Sequence, residues 1–354
     1  MAAVPPPSEQ TILLTGGTGF IGAHIIREFL AKGYRLRCAV RSEQSIDAIK
    51  QAHPPEHWEK LSFVVVPDMQ APHAFDEAVR GVNGIIHGAS PFTFRAQDNV
   101  RDILEPAIQG TLNILRAAAA SNNPALTRVV VTSSFAAIKD LDQGLRPGYV
   151  YSERDWNPAT YEAAAKTDSG AWAYCASKGL AERAAWQFME ETKPSFTLTT
   201  INPPWVIGPN INRVTSLSSL NESTEIIYRL INGSQSSAVP ATDFAGSADV
   251  RDVAAAHLLA YETPAAAGQR FLIASPGNFS YQTACDIIRE EFPELAASGK
   301  VPVGTPGAGL KEEVYRLDTT KAQTVLGMQF RELRESVRDC VKVLLRLEKE
   351  LGSS

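Results

Sequence analysis

Short apolar runs alternate with longer segments of helical periodicity from residue 10 to residue 202. Gln10 to Leu14 is a short apolar run closed by glycine, the pattern of a strand buried on both faces of a parallel sheet. Ala23 to Ala31 follows with helical spacing, and Lys32-Gly33 stops it. Tyr34 to Val40, Leu61 to Val66, Gly84 to His87, Arg128 to Thr132 and Phe196 to Ile201 predict further strands. A short helix is expected around Ala74 to Arg80 and a long one over Asp98 to Ala120, with Pro106 an interior irregularity. Another long helix is expected over Ser169 to Glu190. The alternation predicts an α/β protein with a doubly wound parallel sheet and right-handed crossovers.

After Pro203-Pro204 the alternation breaks. Asn210 to Ser223 is rich in Ser, Thr and Asn and reads as loop, and Glu225 to Asn232 as helix. Asp249 to Val253 reads as a strand end, with Asp252 capping a helix over Ala254 to Tyr261. From Gly268 to Leu351 the pattern gives short strands and two helices, expected to form a smaller lobe over the strand ends. The expected division is a disordered lead over 1–9, a doubly wound domain from 10–203 and about 236–262, and a smaller lobe from 204–235 and 263–354. No internal repeat is visible.

Composition narrows the class without naming a chemistry. The chain has 354 residues, 44% hydrophobic and 21% charged, so it can bury a sizeable core without staples. The net charge of −5, with no basic stripe, speaks against nucleic acid and against an anionic membrane surface as partners. Cys38, Cys175, Cys285 and Cys340 are scattered with no Cys-x-x-Cys, which fits reduced thiols in a cytosolic protein. Met1 to Pro7 lacks the basic and apolar parts of a signal peptide, no apolar run approaches a membrane span, and the tail carries no targeting signal. The expected location is cytoplasmic.

Two motifs carry the chemistry. The first is Thr15-Gly16-Gly17-Thr18-Gly19-Phe20-Ile21-Gly22, between the first strand and the first helix. Glycines let a backbone approach a pyrophosphate, and the following helix points its positive end at it. Gly16, Thr18, Gly19, Phe20, Ile21 and Gly22 are therefore expected to bind a dinucleotide, which makes the large domain Rossmann-type. The second strand ends in Arg41-Ser42, with no carboxylate to hold a ribose diol. Arg41 can grip a 2′-phosphate with paired hydrogen bonds and Ser42 can add another, so the expected cofactor is NADPH/NADP. Asp68 past the third strand is placed to meet the adenine amine, with Met69 beside it, and Ala89 and Ser90 past the fourth strand complete the expected contacts.

The second motif is Tyr174-Cys175-Ala176-Ser177-Lys178. Residues four apart on a helix share a face, so Tyr174 and Lys178 point the same way. A free phenol titrates near about pH 10. A neighbouring ammonium is expected to lower that value toward useful acid-base work. Ser134, after a strand ending Val131-Thr132-Ser133, would face the ligand crevice and stabilise developing oxyanion charge.

In this order the motifs resemble the extended short-chain dehydrogenase/reductase family over nearly the whole chain. His87-Gly88-Ala89-Ser90-Pro91-Phe92, Asn202-Pro203-Pro204-Trp205-Val206-Ile207-Gly208-Pro209 and Asp249 to Ala254 extend the likeness. Trp156-Asn157-Pro158-Ala159-Thr160 and Ala181-Glu182-Arg183-Ala184-Ala185-Trp186 narrow it to the dihydroflavonol and cinnamoyl-CoA reductase branch. Within that branch the chain is most similar to the fungal NADPH-dependent aldehyde and ketone reductases, the methylglyoxal (3-methylbutanal) reductase group. The resemblance implies Ser134, Tyr174 and Lys178 as the catalytic trio, Pro203 and Val206 beside the nicotinamide, and a monomer or homodimer. It also implies one departure. Many relatives carry an Asn that relays protons to the lysine, where this chain has Gln109.

Phe92, Phe94, Phe135, Trp172 and Trp205 are the expected apolar substrate wall, with Ser134 reaching the substrate oxygen. Few charges lie among them, so a small neutral carbonyl compound is the expected substrate, with 210–223 a candidate flap. His53-Pro54-Pro55-Glu56-His57 matches a zinc pattern only on paper, since the prolines block the helix it needs, and no metal is expected. His87 and His257, in apolar segments, read as structural. A cofactor-retaining sugar-nucleotide epimerase or dehydratase and a non-catalytic cofactor sensor are the rival readings. Arg41 opposes the first and the retained Tyr174 and Lys178 oppose the second.

Overall fold

β1 (Thr11–Thr15) has Ile12, Leu13 and Leu14 fully buried, which requires a sheet covered on both faces. The computed structural model describes residues 5–90, 96–235, 238–311 and 313–352 and places β1 at the centre of such a sheet. The chain continues through α1 (Phe20–Lys32), β2 (Arg35–Val40), α2 (Gln44–Ala52), β3 (Leu61–Val65) and β4 (Gly84–His87). Next come α3 (Glu105–Ala120), β5 (Arg128–Thr132), β6 (Val150–Tyr151), α4 (Tyr161–Lys166), α5 (Gly170–Thr192), β7 (Thr197–Asn202) and β8 (Trp205–Ile207). The remainder holds α6 (Glu222–Arg229), β9 (Ser247–Asp249), α7 (Val250–Glu262), β10 (Gln269–Leu272) and α8 (Tyr281–Glu291). It ends with α9 (Pro293–Ala297), β11 (Arg316–Leu317), α10 (Thr320–Leu326) and α11 (Leu333–Leu351).

Seven strands form one parallel sheet in the order β3-β2-β1-β4-β5-β7-β10. Thr15 stands opposite Ala39 of β2 on one side and His87 of β4 on the other. The winding reverses between β1 and β4, and a crevice opens there at the strands' carboxyl ends. Phe20, Ile25 and Phe29 of α1 pack with Val253, Ala256 and Ala260 of α7 on one face. Ile114, Leu115 and Ala118 of α3 pack with Ala185 of α5 on the other. A separate core joins Ile227 of α6, Ile288 of α8 and Val341 of α11 beyond the strand ends. Two small parallel pairs, β8 with β9 and β6 with β11, link this lobe to the large one.

Several elements differ from the sequence expectation. β10 lies in the 263–354 stretch assigned to the smaller lobe, yet it pairs with β7 at the edge of the main sheet. Its polar start, Gln269-Arg270, hides the strand, because Arg270 is buried against a carboxylate that sequence does not reveal. The helix expected at Ala74 to Arg80 is a series of turns, bounded by left-handed His73 (φ 63) and Gly81 (φ 66). Phe75, Ala78 and Val79 still bury against the α3 side, so packing survives without a helix. α2, α4 and the short strands β6 and β8 were not expected, and 268–351 holds the four helices α8 to α11 rather than two.

Pro106 follows a π-helical turn over Val100–Leu104 that runs directly into α3, so the helical stretch is irregular just before the proline. α7 is capped by Asp249, which accepts from the Arg251 N–H at 2.8 Å; Asp252 lies inside the helix and bonds Arg331. In the lead, Pro7–Glu9 form a 3-10 turn and Gln10 Nε2 donates to the Pro5 carbonyl at 2.6 Å.

Candidate active site

The glycine loop leaves β1 and enters α1 at the crevice. Gly16 adopts φ +77, and a Cβ on it would sit 2.8 Å from the Gly88 carbonyl carbon. A Cβ on Gly22 would meet the Gly16 oxygen at 2.0 Å. Both positions therefore demand glycine, and the loop packs directly on the end of β4. Thr15 Oγ1 reinforces that contact by accepting from the Ala89 N–H at 3.0 Å and bonding His87 Nδ1 at 2.9 Å. Gly19 caps α1 with no side-chain acceptor, so the helix's first N–H groups and its positive end face the crevice.

A cavity of about 690 Å³ runs from this loop across the strand ends into the smaller lobe. Gly16, Gly19, Phe20, Ile21 and Gly22 line one end, followed by Ser90, Pro203 and Val206. Ser134, Tyr174 and Lys178 share the same wall, which brings together three residues far apart in sequence. Thr18, Arg41, Ser42, Asp68, Met69 and Ala89 lie outside that wall. Arg41 and Ser42 are exposed at the carboxyl end of β2, beside the glycine loop. Asp68 accepts from the Gln70 N–H, and Met69 packs on Gly110 of α3.

Tyr174 and Lys178 sit in the first half of α5, which starts at the Ser169 cap. Ser134 follows β5 in extended conformation, and its Oγ accepts from the Ala136 N–H at 3.1 Å. Its side chain also bonds that of Tyr174. The Lys178 ammonium lies 5.8 Å from the centre of the Tyr174 ring. Burial pushes the Tyr174 phenol well above its ordinary range, and the Ser134 bond pulls it back only in part. The direction is thus opposite to the one expected from Lys178: desolvation of a phenolate in the apolar wall sets it. Burial pulls Lys178 down to about 8, against the opposing pull of Glu182. Tyr174 thus holds its proton and Lys178 sits near its titration point.

Gln109 does not reach the cavity. Its amide donates to Glu105 at 3.3 Å and its carbonyl accepts from Arg116 at 3.4 Å, both along α3. Trp172 and Trp205 do line the cavity. Phe135 does not: it is fully buried against Tyr151, Phe244 and Tyr315 and belongs to the core. Its place beside Ser134 misled the sequence reading, because adjacent side chains point apart. Phe92 and Phe94 lie outside the described residues.

Sequence reasoning missed the small-lobe wall: Asn221, Glu222, Ile226, Arg229, Asp243 and Tyr281. Nothing local marks them: α6 and its start bring in the first four, Asp243 comes from the segment before β9 and Tyr281 from the start of α8, so only the fold gathers them. They also place charge where little was expected, with Arg229 paired to Glu225. The 210–223 stretch is tied down by Asn210, Asn221 and Thr224 and leads into α6. His53 and His57 fall on separate elements, because Pro54-Pro55 ends α2 and opens a 3-10 helix.

The model of the NAD dependent epimerase/dehydratase family matches residues 12–274. The chain belongs to the NAD dependent epimerase/dehydratase family. Two relatives resemble it over almost their whole length. The NADPH-dependent methylglyoxal reductase of Saccharomyces cerevisiae is 36% identical over 347 residues, 96% of this chain and 99% of the relative. A ketoreductase of Aspergillus niger is 39% identical over 346 residues, 95% of this chain and 98% of the relative. The crystal structure of the yeast methylglyoxal/isovaleraldehyde reductase complexed with NADPH superposes with a TM-score of 0.89 at 35% identity. That match covers 96% of this chain and 99% of the other. Among the described residues, no helix of this family member is long and apolar enough to cross a membrane.

Proposed function

We propose that this chain is an NADPH-dependent carbonyl reductase that converts a small neutral aldehyde or ketone to the alcohol. The observation that carries the reading is the Ser134–Tyr174–Lys178 group on the wall of a cavity that begins at the glycine loop. The crowded Gly16–Gly22 turn and the uncapped start of α1 suit a pyrophosphate, so the residues present fit a dinucleotide. Arg41 and Ser42 would hold the 2′-phosphate, and Lys178 the nicotinamide ribose. When bound there, NADPH supplies a hydride to the carbonyl carbon.

Ser134 donates to the substrate oxygen and steadies the charge that develops on it. Tyr174 delivers its proton to that oxygen. A phenol held protonated by burial suits this direction, because the residue must give a proton rather than take one. The Lys178 ammonium stabilises the phenolate left behind, and Trp172 and Trp205 exclude water from the carbonyl.

The domain reading is 10–203 with about 236–262 for the cofactor, joined by β10, and 204–235 with the rest of 263–354 over the substrate. The four free, buried cysteines support a reducing, cytoplasmic setting, with the chain acting as a monomer or homodimer. A steady-state assay of NADPH oxidation with a panel of aldehydes and ketones tests the function. Turnover with NADPH and release of the cofactor on desalting are expected. Failure to oxidise NADPH with every member, together with tightly retained NAD, would overturn it in favour of an epimerase or dehydratase.

A further inference from the structure

Glu182 lies on α5, one turn past Lys178 and two past Tyr174, and only 2% of its surface is exposed. A buried carboxylate is costly unless each oxygen finds donors. Oε2 accepts from Ser133 Oγ at 2.5 Å and Asn202 Nδ2 at 2.7 Å. Oε1 accepts from Arg270 Nε at 2.7 Å, Thr200 Oγ1 at 2.8 Å and Trp186 Nε1 at 3.1 Å. One carboxylate thus joins α5 to the end of β5, to β7 and to the edge strand β10. Arg270 is held in turn by the Glu153 and Asp155 carbonyls and by the Trp156 ring 3.6 Å away.

Two features take this hub beyond holding an edge together. Asn202 Nδ2 also donates to the Ser134 carbonyl at 3.1 Å, and Ser133 is the residue before Ser134. The hydrogen-bond chain therefore ends on the backbone that aims the Ser134 hydroxyl. The carboxylate is also the acidic group whose charge acts on the Lys178 ammonium. We propose that Glu182 is a positioning residue of the reductase site: it fixes Ser134 through Ser133 and Asn202, and its charge, one helical turn from Lys178 on α5, acts on that ammonium. The proposal rests on the carbonyl-reductase reading of the cavity.

The other charged and titratable groups around this pair are Tyr174 and Arg183 on α5, His87 at the end of β4 and Arg270 on β10. Glu105 on α3 is taken up by Tyr161 and Gln109 instead. Removing the Glu182 charge leaves the ammonium less stabilised, so Lys178 loses its proton at lower pH.

The test compares wild type with E182Q and E182D. In E182Q, kcat should fall by about 10- to 100-fold while KM for NADPH changes less than about threefold, and the alkaline limb of kcat should move to lower pH. In the cofactor-free protein, the pH at which Lys178 becomes reactive to an acetylating reagent, read by mass spectrometry, should move the same way. That readout does not depend on the substrate reading. A folded E182Q with unchanged kcat and unchanged Lys178 reactivity overturns the proposal. So does a loss of kcat with both pH profiles in place, which would mean a structural role alone. If E182Q does not fold, E182D decides: the charge stays, so the limb should hold while kcat falls, and unchanged kcat overturns the proposal. Wild type that labels as expected but reduces no carbonyl would instead refute the reductase reading.

Discussion

His24 Nε2 donates to the Pro209 carbonyl at 2.8 Å, tying the helix behind the glycine loop to the segment that leads into the small-lobe wall. A carbonyl only accepts, so Nε2 carries the proton, and Nδ1 accepts from Arg27 at 3.0 Å. The neutral ring is therefore built into the link between the two lobes. Burial pulls His24 down to about 4, and His53, His87 and His257 are buried and depressed to about 4, 3 and 4.

Acid should loosen the fold before carboxylates titrate. The folded values lie below the unfolded value of 6.5, so the unfolded chain takes up protons first. This contribution is fully present above about pH 6.5 and fades as pH falls toward the folded values, by on the order of 1–2 kcal/mol per histidine near pH 5. Denaturant unfolding between pH 7 and pH 5 checks it. A stability that stays flat across that window contradicts the neutral buried rings.

Tyr174→Phe keeps the ring and removes the proton. Turnover should fall by at least about a hundredfold, with NADPH affinity, measured by fluorescence, within about threefold of wild type. Retained turnover would sink the proton-donor role.

Arg41→Ala should raise KM for NADPH by about tenfold or more and leave KM for NADH nearly unchanged, since only the former carries a 2′-phosphate. Equal effects on the two cofactors refute the phosphate grip.

Gly22→Ala places a methyl 2.0 Å from the Gly16 carbonyl oxygen, a backbone atom that cannot swing aside. The loop must open, so NADPH binding should weaken by about tenfold or more and the protein should lose on the order of 1–3 kcal/mol. Cofactor titration and thermal unfolding read both. Binding equal to wild type would show that the loop does not need its observed turn.

How much was legible in the chain depended on how local each signal is. The glycine turn, Tyr174 with Lys178, and Ser134 at a strand end are each set by spacing within a few residues, and the structure brings them to one wall. β10 and the small-lobe wall had no such signal. Nothing near Arg270 in the chain marks it as buried until Glu182 is placed beside it, and nothing near Glu222, Arg229 or Asp243 marks a cavity until the smaller lobe lies over the strand ends.

The sequence by itself determined the alternation of buried strands and helices and the glycine turn, and it singled out Ser134, Tyr174 and Lys178, which the structure brings to one wall. Periodicity and glycine sterics act over one or two turns of chain, so they survive without a fold. Only the tertiary structure decided that Phe135 is core, that Gln109 turns along α3, and that burial pushes the Tyr174 phenol up. Those outcomes depend on which groups exclude water from one another, and desolvation is a property of the packed site rather than of any segment in it.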